Sequence, residues 1–425
     1  MNRHYTVIGI SNRPGNPLPA GAAALLPVQS VFSGGDRHYA LVRPFLPEPH
    51  TWLPIKGDMT ALFEAYHRTN APTLLIFASG DPLFYGMVQT IRQRDPCASI
   101  SLLPSFNSIQ LLCARIGQPY QHVKNTSVHG RSWQELDTAL LQGEPLIAIL
   151  TDALHDPAAI ARRLLDYGFT DYELVVGEDL EGDNERIRHF QPGEEIDESF
   201  HPLNCVLLRQ TPSIARQQAP TPASRQPAHA STPHPRTFGL DDRLFEGLPG
   251  RPHMITKRPL RLLTLSALQL QQAHVFWDIG FCTGSLSIEA RRLFPHLRIH
   301  AFERREECAH ILQRNMRRLS APGIDRHIGD FFDQDLDSIP APDAVFVGGH
   351  GGRLPALLEK IHQCMKTGII AFNAVLDTSR EQFIATAQLL GWQLSASDTL
   401  TINDHNPVTL LVAHKINSQP EKQHL

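Results

Sequence analysis

The sequence predicts two consecutive α/β domains, each built on a largely parallel sheet with helices on its faces. Three observations carry this. Short apolar runs alternate with amphipathic segments through both halves of the chain. A stretch from 210 to 237, QTPSIARQQAPTPASRQPAHASTPHPRT, holds six prolines and almost no large apolar side chain, so it has nothing to build a core from and reads as a linker. Glycine-bearing turns follow several strand-like runs, at the strand ends where parallel sheets hold ligands. The boundaries that follow are a first domain at 1–209, the linker at 210–237, a second domain at 238–415 and a tail at 416–425.

In the first domain the strand-like runs are TVIGI, TLLIFA, ISLLP, PLIAIL and YELVVGE, with helical patterns such as MTALFEAYHR and DPAAIARRLLDYG between them. In the second they are HVFWDIG, RIHAFE, DAVFVGG and GIIAFNAV. They alternate with GSLSIEARRLF, CAHILQRNMRRL, LPALLEKIHQCM and SREQFIATAQLLG. The end of that domain breaks the alternation. QLSASDTLTI and PVTLLVAHK are two strands joined by NDHN, which predicts a terminal antiparallel hairpin.

Composition narrows the function. A chain that is 42% hydrophobic and 19% charged is an ordinary globular one. No apolar run nears the roughly 20 residues that span a bilayer. The N-terminus MNRHYTVIGI passes into a strand with no signal-peptide pattern, so a cytoplasmic location with no membrane partner is expected. The six cysteines (Cys97, Cys113, Cys205, Cys282, Cys308, Cys364) are scattered without a CxxC pair, which suits free thiols and no metal site. A net charge of -4 argues against a nucleic-acid partner.

The most informative stretch is HVFWDIGFCTGSLSIEA, 274–290. Asp278 ends a strand. Gly280 allows a positive φ, Gly284 allows a ligand close to the backbone, and the helix starting near Ser285 offers unpaired N–H groups. Glu303 ends the next strand, where an acidic side chain can accept from ribose hydroxyls. Asp330 follows the third strand and would border an adenine. A dinucleotide asks for GxGxxG at such a turn. S-adenosylmethionine, which has no phosphate, suits D-x-G-x-G-x-G, and Asp278-Ile-Gly280-Phe-Cys282-Thr283-Gly284 follows that spacing with cysteine at one glycine position. The terminal hairpin points the same way. In the first domain, four polar loops stand at strand ends: ASGDPLFYG (78–86) with Gly80 and Asp81, the Ser105, Asn107 and Ser108 stretch, SVHGR (127–131), and the loop with Thr151 and Asp152. Together they predict one large cleft.

These motifs carry a family resemblance over nearly the whole chain apart from linker and tail. ASGDPLFYG, PSFNSIQ, SVHGR and LTD…PAAIA, in that order, resemble the tetrapyrrole methylase fold of two α/β subdomains, in its C5-methylating cobalamin-biosynthesis form. MITK (254–257), WDIGFCTGSLSIEA, FERR, DAVFVGGHGG and FNAV resemble a Rossmann-like SAM-dependent methyltransferase that methylates C15 and decarboxylates the ring C acetate. The two in one chain resemble the bifunctional precorrin C5,15-methyltransferases. The resemblance implies S-adenosylmethionine contacts at Gly80, Asp81, Leu83, Ser108 and Asp152 in the first domain. In the second it implies them at Thr256, Asp278, Gly280, Thr283, Gly284, Glu303 and Asp330. Lys257, Gly349, His350 and Asn373 would border the macrocycle, with Lys257, His350 and Asn373 as candidate catalytic groups. Arg131 and Arg353, with Arg258 and Arg261, would meet substrate carboxylates. The resemblance also implies a homo-oligomer. Two departures stand out: GISNRPG, with Ser11 where the family's first loop has glycine, and Cys282. Methyl transfer from a sulfonium is an in-line displacement dominated by alignment, so no metal, covalent intermediate or catalytic triad is expected. Two other readings are a methyltransferase acting on RNA or protein, and a carrier that binds a tetrapyrrole without reacting.

Overall fold

A computed structural model describes residues 3–69, 71–211, 238–251, 254–402 and 407–416. All but the first residues of the expected linker, the NDHN turn and nearly all of the expected tail lie outside the described residues. The chain divides into two compact units. The first comprises Met1–Ser132, Glu144–Arg162 and Asp171–Ala219; the second comprises Trp133–Gly143, Arg163–Thr170 and Pro220–Leu425.

The first unit contains two sheets. One is formed by β1 (His4–Ile10), β2 (Val31–Gly34), β3 (Thr51–Pro54), β4 (Thr73–Ser79) and β5 (Ser99–Leu103), in the order β3-β2-β4-β1-β5, all parallel. Helices α1 (Asp36–Val42), α2 (Met59–Arg68) and α3 (Met87–Arg94) lie between its strands in sequence. β1 shows why the central runs are almost continuously apolar. Tyr5 and Val7 join one buried cluster with Leu74 and Ile76, while Ile8 and Ile10 join another, on the opposite face, with Leu75 and Phe77.

The other sheet holds β6 (Lys124–Ser127), β7 (Leu146–Leu150), β8 (Tyr172–Glu178), β9 (Arg186–Phe190) and β10 (Asn204–Gln210), in the order β6-β7-β10-β8-β9. Helix α4 (Ser108–Ile116) precedes it and α6 (Pro157–Asp166) lies between β7 and β8 in sequence, while α5 (Gln134–Gln142), between β6 and β7 in sequence, and the last turn of α6 are counted with the second unit. This sheet corrects the expectation of largely parallel pairing: only β6–β7 is parallel, and β10 runs antiparallel to both its neighbours. The short connection from β8 returns β9 antiparallel, and β10 then crosses to the other side of β8, entering between β7 and β8 antiparallel to both.

The second unit carries α7 (Arg258–Ala267), β11 (Val275–Ile279), α8 (Ser285–Leu293), β12 (Arg298–Glu303), α9 (Glu306–Arg318), β13 (Ile324–Ile328), β14 (Ala344–Val347), α10 (Leu354–Cys364), β15 (Gly368–Ala374), α11 (Asp377–Leu389), β16 (Gln393–Leu394), β17 (Asp398–Leu400) and β18 (Val408–Lys415). Its sheet runs β13-β12-β11-β14-β15-β18-β16, with β17 also on β18. Strands β11 to β15 are parallel, and β18 is antiparallel to β15, as the terminal hairpin requires. The expected strand at 393–402 is broken into β16 and β17. Ser395, Ala396 and Ser397 between them are small and exposed and have no apolar face to hold them on the sheet. The chain winds outward from β11 to β13, then returns to β14 on the other side of β11. That reversal opens a crevice at the carboxyl ends of β11 and β14. Among the described residues, no helix is long and apolar enough to cross a membrane.

Candidate active sites at two sets of strand ends

At that reversal the second unit has a cavity of about 690 Å³, a size that suits a cofactor-sized ligand. Thr256, Lys257, Asp278, Gly280, Thr283, Glu303, Asp330, Gly349, His350, Arg353 and Asn373 all line it, together with Cys282. Gly284 does not. It caps α8 at φ 75, and a Cβ there would stand 2.2 Å from Leu312 Cδ1. Its glycine therefore lets α8 pack on α9, a correction to its expected role of admitting a ligand. Gly280 is required twice over: its φ is 81, and a Cβ would lie 2.6 Å from the Gly349 nitrogen. The turn after β11 and the glycine loop after β14 are thus in backbone contact. Cys282 holds φ 53, the left-handed conformation a glycine would take freely. In that pose its N–H donates to Glu303 Oε2 at 3.1 Å and its thiol to the Met254 carbonyl at 3.4 Å. A hydrogen bond with the Cys308 thiol, aided by Arg305, lowers the Cys282 pKa against the effect of burial.

Three carboxylates surround the cavity in different states. Asp278 is 1% exposed. Its Oδ2 accepts from the Ser287 hydroxyl at 2.5 Å, and its Oδ1 is buried with no partner among the described residues. Burial pushes its pKa up to about 7, with Glu303 adding to the effect and Ser287 opposing it. Glu303 is the reverse case. Oε1 accepts from the Arg304 and Arg305 backbone and from Arg305 Nε, and Oε2 accepts from Cys282 N and Arg305 Nη2. Burial works against its charge, but these donors prevail and its pKa is lowered. Asp330 accepts from Phe332 N at 3.0 Å and pairs with Arg353, and both contacts hold it low. Two residues expected to serve different ligands, Asp330 for adenine and Arg353 for substrate, thus meet each other.

The remaining candidates separate by exposure. Arg261 is fully buried, with Nε 3.0 Å from Glu289 and Nη1 3.0 Å from Asp242. It also donates to the Thr256 and Leu240 carbonyls, so it braces α7 and has no face for a substrate carboxylate, which corrects that expectation. Arg258 is exposed and does not line the cavity. Lys257 caps the start of α7 from the cavity wall. His350 Nδ1 accepts from Gly352 N at 3.2 Å, so its neutral ring carries the proton on Nε2, 3.3 Å from Ser379 Oγ; burial lowers its pKa. Asn373 Nδ2 donates to Thr264 Oγ1 at 3.3 Å. Arg251 and Arg304 also line the cavity. Nothing in their local sequence distinguishes them from surface arginines.

In the first unit, backbone contacts hold the strand-end loops together. A Cβ on Gly9 would stand 1.7 Å from the Gly80 carbonyl oxygen, and one on Gly80 2.8 Å from Asn107 Cα. Asp81 folds its own turn, accepting from Leu83 N at 2.9 Å, which leaves Leu83 exposed. Asn107 and Gln110 form a reciprocal capping box that fixes the start of α4 at Ser108. Arg131 lies over the Tyr85 ring at 5.1 Å, and the Tyr85 hydroxyl reaches the Asn125 carbonyl. Asp152 is committed to its loop. It accepts from Gly130, Leu154 and His155 N–H and from the His155 ring, and these donors hold its pKa well below the usual range although burial opposes them. The structure brings the four predicted loops of this unit to one side of its sheets.

Comparison with known proteins agrees with both halves. Residues 19–194 match the model of the tetrapyrrole (corrin/porphyrin) methylases, and residues 251–415 match that of the precorrin methyltransferase domain. The first match begins past the loop in which Ser11 departs from the family pattern. A cobalt-precorrin-7 C(5)-methyltransferase of Salmonella typhimurium is 29% identical over 48% of this chain and 97% of its own length. A cobalt-precorrin-6B C(15)-methyltransferase (decarboxylating) of the same organism is 38% identical over 28% of this chain and 60% of its own. A precorrin-6Y C(5,15)-methyltransferase [decarboxylating] of Sinorhizobium sp is 31% identical over 85% of this chain and 82% of that protein. Because both halves match within that single relative, the chain belongs to the family of decarboxylating precorrin-6Y C5,15-methyltransferases.

Proposed function

We propose that this chain transfers two methyl groups from S-adenosylmethionine to a precorrin-type tetrapyrrole, at C15 in the second unit with loss of CO2, and at C5 in the first. The observation that carries the cofactor reading is the unpartnered Asp278 Oδ1 in the cavity wall. A buried carboxylate oxygen without a donor is unfavourable unless a ligand supplies one, and the donor's α-ammonium is such a group. Ribose hydroxyls would take Glu303 in place of the Arg305 guanidinium, since the chain's own donors already crowd that carboxylate. When bound, the donor supplies an electrophilic methyl on a sulfonium. The protein's part is alignment and exclusion of water. Gly280 and Gly349 keep the floor of the cavity free of side chains, and Lys257, Arg251 and Arg304 place positive charge at its wall for an acid-fringed ring. His350, with Nδ1 accepting from Gly352 N and Nε2 beside Ser379 Oγ, is held in the glycine loop after β14.

The names of the separate relatives suggest an order. The C15 relative is named for cobalt-precorrin-6B and the C5 relative for cobalt-precorrin-7, which supports C15 methylation and decarboxylation before C5 methylation. The test is to incubate the full chain with S-adenosylmethionine and either a metal-free or a cobalt precorrin, and to weigh the products over time. Loss of CO2 with one methyl gained, followed by the second methyl, is the expected course. A product that gains no methyl overturns the reading, and methyl gain without CO2 loss overturns its C15 half.

A further inference from the structure

The carboxyl ends of β2, β4 and β1 stand side by side in the first unit's parallel sheet, and each supplies one polar side chain to the same place. Arg37, on the first turn of α1 just after β2, donates from Nη1 to Asn12 Oδ1 at 2.9 Å and from Nη2 to Ser79 Oγ at 2.6 Å. Ser79 ends β4 immediately before the Gly80 turn, and Asn12 follows β1. His38 Nε2 lies 2.9 Å from the same Ser79 oxygen, while His38 Nδ1 accepts from Gly35 N. Asn12 also donates to Asp179 Oδ1 at 2.6 Å, and the other Asp179 oxygen accepts from Asn184 N. The carboxylate of Asp179 is therefore turned to its own donors and reaches Arg37 only across Asn12.

Arg37 is thus a half-buried guanidinium whose direct partners, among the described residues, are both neutral. Burial weighs against its charge, and only the through-space pull of Asp179 offsets that. A guanidinium presents five N–H donors in a planar fork, and two are engaged here. Asn12 and Ser79 fix the plane of that fork at the carboxyl ends of β1 and β4, next to the Gly80 turn. A rigid fork with open donors is a receptor for a carboxylate bound through both oxygens. Among the described residues no carboxylate bonds Arg37 directly, and Asp81 is taken up by its own turn.

We propose that Arg37, seated on Asn12 and Ser79, binds one peripheral carboxylate of the tetrapyrrole at the C5-methylating site. This rests on the function proposed above. The donor also carries a carboxylate; its expected contacts at Gly80, Asp81, Leu83, Ser108 and Asp152 follow β4, β5 and β7, whereas Arg37 follows β2 and meets that group only through Ser79, so donor affinity is the measurement that separates the two.

The test compares full-length Arg37→Ala and Arg37→Lys with the wild-type chain. Both methylations and CO2 release are followed by mass in the same incubations, and S-adenosylhomocysteine binding is measured by calorimetry. For Arg37→Ala the KM for the tetrapyrrole in the C5 step is expected to rise about tenfold to a hundredfold, as loss of a charge-assisted pair gives. Its kcat and the S-adenosylhomocysteine isotherm should stay as in the wild type. The species with one methyl gained and CO2 lost should accumulate, and Arg37→Lys should recover part of the KM as a point charge does. An unchanged KM, a fall in kcat alone, or weakened S-adenosylhomocysteine binding overturns the assignment, the last by giving Arg37 to the donor. Equal loss of both methylations also overturns it, showing a brace and not a binding group. A wild-type chain that transfers no methyl is a different outcome, which sinks the parent reading and this inference together.

Discussion

Asp278 is the residue whose titration should be visible in both stability and donor affinity. Replacing it with asparagine keeps an acceptor for Ser287 and removes the ionisation. The group moves from the usual 3.8 to about 7 on folding because it is buried. The folded state therefore holds this proton more tightly than the unfolded chain does. The associated stability is complete below about pH 4 and is lost as pH rises toward 7. At about 1.4 kcal/mol per pH unit, the loss over that window is roughly 4 kcal/mol as an upper figure. A ligand ammonium should restore it, because the ionised carboxylate then has a partner. Urea denaturation of the ligand-free chain should show the decline between pH 4 and 7 in the wild type and not in Asp278→Asn. Calorimetry with S-adenosylhomocysteine should show affinity rising by up to tenfold per pH unit toward 7. It should fall again only at alkaline pH, where the ligand's α-ammonium loses its proton. At pH 7.5 the asparagine variant should bind about tenfold to a hundredfold more weakly, the value of a hydrogen bond to a charged group. A wild-type affinity that is flat from pH 5.5 to 7, or an asparagine variant that binds as tightly as wild type, would refute the assignment of Asp278 to the ammonium.

Two further outcomes follow from the same cavity. Cys282→Gly should be at least as stable as wild type and bind S-adenosylhomocysteine at least as well, because φ 53 costs a side chain roughly 1 kcal/mol that glycine does not bear. Cys282→Val, β-branched in the same conformation, should lose about 1–2 kcal/mol in urea denaturation and weaken binding. Arg261→Met should cost about 3–5 kcal/mol in the same assay, since it strands the buried Glu289 carboxylate. If it instead folds normally and raises only the substrate KM, Arg261 faces the ligand after all.

Much of the second unit was legible in the sequence because its pattern is regular. Its strands are short apolar runs between amphipathic helices, and its site residues sit at the ends of those runs. The first unit was harder. β2 and β3 have four residues each, β6 reads KNTS, and β9 reads RIRHF, so none shows an apolar run or a clear alternation. Those strands are held by pairing with longer neighbours, a tertiary cause with no local mark. Arg261 was misread for a related reason. One-dimensional spacing places it beside Lys257 at a helix start, but nothing local shows that Glu289, 28 residues later, turns it inward. The cluster of Arg37, Asn12 and Ser79 was invisible for the same reason, since it joins three strand ends that are neighbours only in the folded sheet.

The carboxylates of the two sites also show what separates a ligand contact from a brace. Asp81, Asp152, Glu303 and Asp330 all stand at strand ends where a cofactor was expected, and the sequence treats them alike. In the fold, Asp81 folds one turn, Asp152 holds together the loops of β6 and β7, and Glu303 gathers the Cys282 turn and the start of α9. The chain itself supplies donors to each, and a ligand reaching Asp152 or Glu303 must compete with several of them. Among the described residues Asp278 has no such supply at Oδ1, and burial keeps its proton up to about pH 7 unless a cation arrives from outside the chain. Donor binding should therefore be governed by Asp278, with Glu303 contributing only the difference between ribose hydroxyls and the Arg305 guanidinium it already holds.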